Sequence, residues 1–223
     1  MIFKDRIDAG EKLAQLLKTN SYIKRRLKRG VVVSLLRGGA IVGDIITRQL
    51  KIPHLFLPTI KISSPENPEL AIGALCFNKI YWEKKFPSYF DFYPSKNIIN
   101  HQLKIAKEKF SLYLKKFKLE ESVFNQIVGQ NIILVDDGIA TGATVKAAFL
   151  FLKTKKPSSI VLASPVAPVD FDNPGFDKVF VFHYDQNLAA VSQFYESFLP
   201  VEDQEIYSII DRSSSEAITR KPT

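Results

Sequence analysis

Asp136 and Asp137, followed three residues later by Ala140, Thr141, Gly142, Ala143 and Thr144, form the segment of this chain best suited to chemistry. Small side chains across 140–144 let successive backbone N–H groups converge on one anion, and a helix beginning there adds partial positive charge. That combination is a cradle for a phosphate monoester. The hydroxyls of Thr141 and Thr144 can donate to phosphate oxygens, each such bond contributing roughly 1.5–3 kcal/mol because the acceptor is charged. The two carboxylates can accept from vicinal sugar hydroxyls and lie close to a bound Mg²⁺. The loop lacks the GxxxxGK pattern of a Walker A site and the GxGxxG pattern of a dinucleotide fold. Turn formation alone would account for the glycine but gives no role to two carboxylates beside an anion cradle.

These residues need a rigid support, and the pattern around them supplies one. The run NIILVDD over 131–137 reads as a buried strand, and Thr144–Thr154 reads as the helix that follows. Upstream, Val31–Leu36 is a second apolar, β-branched run that stops at Arg37, Gly38 and Gly39, with a helix expected over Ala40–Leu50. Residues 54–61 give another extended run, and the stretches around 158–166 and 177–184 give two more. Strands alternating with helices predict an α/β fold with a mostly parallel central sheet and helices on both faces. In such a sheet the ligand site lies at the carboxyl ends of the strands, which is where the two aspartates fall.

Helical spacing also appears over residues 6–17 and around Ser21–Lys28, and from Ser95 a stripe of Ile99, Leu103, Ala106, Phe110, Leu114 and Phe117 repeats every three or four residues. That stripe predicts a core or dimer face. Residues 62–72, with two prolines, predict a loop longer than a simple turn; residues 73–77 and 79–82 predict a hairpin. The aromatic connector 86–94 carries no clear pattern. From Leu188 onward short helices are expected, ending in a frayed tail at 216–223. We read one domain over 1–223, with 1–30 and 165–215 as a hood or appendage and a small C-terminal region.

The 223 residues are 46% hydrophobic, enough for one sizeable core. No run approaches the roughly 18 apolar residues of a membrane span, and charges occupy the start of the chain where a secretory signal would be apolar, so a cytoplasmic protein is expected. The single cysteine, Cys76, reads as a small buried hydrophobe. A formal charge of +8 favours phosphorylated ligands or nucleic acid without choosing between them. The basic residues cluster at Lys24, Arg25, Arg26, Lys28 and Arg29 and along Lys104–Lys118, with no interleaved aromatic platform, as expected of solvated helical faces.

The segment VDDGIATGAT resembles the phosphoribosyl diphosphate (PRPP) motif of type I phosphoribosyltransferases. By that resemblance Asp136 and Asp137 hold the ribose hydroxyls and residues 140–144 hold the 5-phosphate. Leu36, Arg37, Gly38 and Gly39 resemble the family's pyrophosphate loop. Residues 63–74 and the late segment SQFYESFLPVEDQEI are similar to a branch known as predicted phosphoribosyltransferases, so the resemblance runs from about Phe3 to Ile210. There are departures. That branch commonly has Arg-Lys at the entrance to the flexible loop, where this chain has Ile60 and Lys61, and often a glycine in place of Glu66. The 6-oxopurine members carry an acidic base where this chain has Ala140, which argues against hypoxanthine or guanine salvage.

The resemblance implies a Mg²⁺-dependent glycosyltransferase of the pentosyl type, acting in nucleotide metabolism. It would transfer phosphoribosyl from PRPP to a nitrogen nucleophile and release pyrophosphate. Asp136, Asp137, Arg37 and Lys61 are the expected catalytic residues, with Asp136 and Asp137 beside the metal. Arg37, Gly38, Gly39, Asp136, Asp137 and residues 140–144 are the expected PRPP contacts. His183 and Tyr184 are candidates for touching the acceptor, which the sequence does not name. The expected partners are PRPP, that acceptor and a second copy of the chain. A rival reading is a PRPP sensor that binds RNA or DNA through its basic helices without turnover, and a phosphoribosyl hydrolase is a third.

Overall fold

The computed structural model describes residues 2–65, 71–83 and 95–219, with side chains to residue 215. Helix α1 (Arg6–Thr19) starts where the Asp5 side chain accepts from the Ile7 and Asp8 amides, satisfying two N–H groups that have no partner within the helix. A short helix α2 (Ser21–Lys24) and a 3-10 turn over Leu27–Arg29 lead to strand β1 (Gly30–Leu35), buried at every position. Helix α3 (Gly38–Leu50) and strand β2 (His54–Leu57) complete a parallel unit, with β1 pairing β2 in parallel.

The expected extended run over 54–61 is two strands in two different sheets. Pro58, which has no N–H to donate, follows β2, and the chain leaves the main sheet to form β3 (Ile60–Ser63). β3 pairs antiparallel with β4 (Ala71–Cys76), which forms the expected hairpin with β5 (Lys79–Trp82). Cys76 is fully buried there, and that burial pushes its thiol pKa up. The middle of the expected long loop, including Glu66, and the connector 86–94 lie outside the described residues.

Helix α4 (Lys96–Phe117) carries the predicted stripe, burying Ala106, Phe110 and Phe117. Strand β6 (Asn131–Val135) and helix α5 (Ala143–Thr154) frame the acidic segment. Strands β7 (Ser159–Pro168) and β8 (Lys178–Asp185) follow. The five-stranded sheet runs β2-β1-β6-β7-β8, parallel throughout. Helix α6 (Asp203–Thr219) is the last described element.

Successive side chains of the central strands point to opposite faces and build two cores. Val31, Val33, Leu35, Ile132 and Leu134 pack with Val145, Ala148 and Phe151 of α5. Val32, Ile133, Val135 and Val161 pack with Leu13 and Leu17 of α1 and Val42 and Ile46 of α3. Full burial of each such side chain contributes about 1.5–3 kcal/mol, so the alternation fixes the register of every strand. A smaller core joins Phe3 to Phe194 and Tyr195, bringing the start of the chain to the segment after β8.

Candidate functional site

β1 and β6 are neighbours in register, Gly30 beside Asn131 and Ser34 beside Val135, so their carboxyl ends release two loops side by side. One is Leu36–Gly39; the other begins at Asp136. A side chain on Gly38 would overlap the Asp137 carboxyl, and one on Gly39 would come within 2.8 Å of the Val135 carbonyl oxygen. Two glycines in the first loop are therefore what lets the aspartates of the second stand where they do. Sequence spacing alone could not join these segments, which lie about a hundred residues apart.

At the candidate anion cradle the chain turns directly into a helix. Gly142 takes φ +81°, a left-handed conformation that suits glycine, and α5 begins at the next residue. Thr141 Oγ1 accepts from the Ala143 amide at 3.3 Å, and the Gly142 carbonyl accepts from the Lys146 amide. Thr141 is exposed and Thr144 half-buried. Thr144 also reaches the acid pair, where its hydroxyl interacts with the Asp136 carboxyl. That contact competes with the phosphate role expected for it.

Asp136 and Asp137 are not equivalent. Part of Asp136 reaches solvent, yet its carboxyl is packed around by protein, and that burial raises its pKa well above the ordinary range. The negative charge of Asp137 adds to the rise, while the Asp137 amide, donating at 3.0 Å, and Thr144 pull it down. Asp137 is held by groups the sequence did not single out. Arg6 Nε donates to Asp137 Oδ2 at 2.7 Å, and the Tyr195 hydroxyl donates to the Asp137 carbonyl oxygen at 2.6 Å. Burial first, and then the charge of Asp137, push the Tyr195 hydroxyl pKa strongly upward.

A cavity of about 340 Å³ is lined by Lys61, residues 140–144, Ala189–Ser192 and Phe198. Lys61 thus joins residues some eighty positions away, carried there by β3. Arg37 is directed elsewhere, pairing with Asp203 at the start of α6. His183 pairs with Asp185 and packs against Phe194, and Tyr184 is exposed; neither lines this cavity. Behind the cradle, Lys146 of α5 is buried, with Nζ 3.2 Å from the Tyr81 hydroxyl. Tyr81 in turn donates to Glu83, whose pKa burial raises.

Among the described residues no group of three or more His, Cys, Asp or Glu side chains gathers as a metal site. Mg²⁺ needs no such cage, because it keeps several waters and is held through one or two carboxylates plus substrate oxygens. Asp136 and Asp137, hard oxygen donors at the strand end, fit that demand.

Comparison with known proteins bears on these features. The family model described as "Phosphoribosyl transferase domain" matches residues 4–173. Two Mycobacterium tuberculosis proteins provisionally named as phosphoribosyl transferases are 31% identical over 95% of this chain and 47% of theirs. The chain therefore spans about half the length of the curated relatives it matches. The crystal structure of TT1426 from Thermus thermophilus shares 27% identity at a TM-score of 0.67, covering 94% of this chain and 98% of that one.

Proposed function

The chain belongs to the type I phosphoribosyltransferase family, and on that premise we propose that it binds PRPP with Mg²⁺ and transfers the phosphoribosyl group to a nitrogen nucleophile, releasing pyrophosphate. The observation that carries this reading is one cavity lined by both Lys61 and residues 140–144, which follow the Asp136–Asp137 pair in the same loop.

The main-chain amides of 140–144 hold the 5-phosphate at the amino terminus of α5, where the helix dipole favours an anion. Asp136 and Asp137 accept hydrogen bonds from the ribose hydroxyls and fix the ring. Val191, Ser192 and Phe198 line the same cavity and would surround the rest of the anchored sugar. They belong to the 165–215 segment, which together with 1–30 would frame the acceptor. A nitrogen lone pair forms the new bond to the anomeric carbon as the bond to pyrophosphate breaks, and the pyrophosphate leaves with the bonding electrons. Lys61, and Arg37 once released from Asp203, offset the charge gathering on the leaving group. Bound Mg²⁺ would neutralise part of that same charge through its oxygen ligands. Positioning and electrostatics thus supply the catalysis, with no protein nucleophile involved.

A homodimer and a cytoplasmic location belong to the same reading; no helix among the described residues is long and apolar enough to cross a membrane. The test is a screen of nucleobases and amines with PRPP and Mg²⁺, reading released pyrophosphate. Release dependent on one acceptor supports the transferase. Binding of PRPP without turnover would leave a sensor, and absence of binding by calorimetry overturns the reading.

A further inference from the structure

We infer that Arg6 is a positioning residue for the sugar end of the site: it holds the Asp137 carboxylate in the orientation from which its other oxygen meets a ribose hydroxyl. This rests on the reading of Asp136 and Asp137 as the sugar-binding pair.

Three contacts immobilise the Arg6 guanidinium. Nε donates to Asp137 Oδ2 at 2.7 Å, Nη1 donates to the Leu199 carbonyl oxygen at 2.8 Å, and the guanidinium carbon lies over the Phe198 ring, 3.8 Å from its centroid. Its side chain is 11% exposed and that of Asp137 16%, so the pair is only weakly screened by water. Only a planar fork can bridge a carboxylate and a carbonyl while stacking on a ring; a lysine ammonium supplies charge without that geometry.

The position of Arg6 in its own helix shows that the contact is not incidental. Arg6 is the first residue of α1, where the helix dipole disfavours a cation. A sheltered cation at that end is explained by its partner rather than by its helix. Asp137 is clamped from both sides, its carboxyl by Arg6 and its main-chain carbonyl by Tyr195. Gly38 leaves the third side free of any side chain. Arg6 also offsets the mutual repulsion of two adjacent carboxylates, one of which already sits in a poorly hydrated position.

Phe198 both lies against the Arg6 guanidinium and lines the cavity. The arginine therefore joins the cavity lining to the carboxylate assigned to the sugar.

The experiment compares the full chain with Arg6→Met and Arg6→Lys. Affinities for PRPP, ribose 5-phosphate and free pyrophosphate are measured by calorimetry with Mg²⁺ present, alongside melting temperatures. Arg6→Met is expected to lose at least ten-fold in affinity for PRPP and for ribose 5-phosphate while pyrophosphate stays within two-fold. Arg6→Lys is expected to fall between wild type and Arg6→Met. Unchanged affinity of a folded Arg6→Met for both sugar ligands overturns the inference alone, as does an equal loss for pyrophosphate. Should Arg6→Met not fold, a folded Arg6→Lys with wild-type affinity for both sugar ligands likewise overturns it. Failure of the wild-type chain to bind PRPP removes the reading beneath it instead, and the inference with it.

Discussion

Arg37 Nη1 stands 3.2 Å from Asp203 Oδ1, which ties the cationic loop after β1 to the first turn of α6. Asp203 also pairs with Lys116 of α4, and these cations hold its carboxyl pKa below the usual range, the Lys116 hydrogen bond first. An anion arriving at the loop must therefore compete with Asp203 for Arg37. Asp203→Asn is expected to raise affinity for pyrophosphate two- to five-fold with little change in melting temperature, since surface ion pairs contribute little to stability. Calorimetry showing equal or weaker binding would remove Arg37 from the pyrophosphate role.

The burial of the Asp136 carboxyl works against stability. The raised pKa of this group means that the folded chain binds its proton more tightly than the unfolded chain does, so the group is destabilising at pH above the ordinary carboxyl range. Asp136→Asn should raise the melting temperature while weakening Mg²⁺-dependent PRPP binding at least ten-fold, and pairing it with Asp137→Asn should weaken binding further. Wild-type PRPP affinity in the double variant would refute the sugar-binding assignment.

Gly142 and Thr144 test the cradle. Gly142→Ala places a side chain at φ +81° and against the Phe171 ring, so a loss of about 1–3 kcal/mol in stability is expected on chemical unfolding. Thr144→Val should reduce affinity for PRPP far more than for free pyrophosphate if its hydroxyl is assigned correctly to the sugar-phosphate end. Equal losses for both ligands would overturn the assignment of the cradle to the 5-phosphate.

His54 sets a pH dependence away from the site. Its ring accepts or donates at 2.7 Å to Ser34 Oγ, and burial, aided by the charge of Arg212, pushes its pKa down to about 3 from an ordinary 6.5. The unfolded chain therefore binds the proton more readily. Stability from this group is complete above pH 6.5 and declines as the pH falls from there toward 3. The slope is about 1.4 kcal/mol per pH unit, or roughly 2 kcal/mol between pH 6.5 and 5. Urea unfolding of wild type and His54→Gln at both pH values measures it; equal pH dependence in the two proteins contradicts this account.

How far the sequence could be read depended on the range of the forces involved. The buried strands at Val31 and Ile132, the helices after them and the cradle at 140–144 are local patterns, because periodicity and a glycine requirement act within a few residues. The same local chemistry placed two carboxylates at a strand end. The run over 54–61 misled because its composition suits a strand in either sheet, and only tertiary packing decided that the chain crosses from one to the other after Leu57. Helix α6 buries Ile206 and Ile209 against α3 and β2, partners that its own amphipathic pattern does not name. Arg6 and Tyr195 left no signal of their own: an arginine opening a helix and a tyrosine in an irregular segment are ordinary until the fold brings them 131 and 58 residues along the chain to Asp137. Sequence alone thus determined which groups could hold a phosphate and a sugar, since that chemistry is contained in one loop. Tertiary structure decided which cations and hydroxyls stand around those groups, since sheet order, not chain order, determines which strand ends are neighbours.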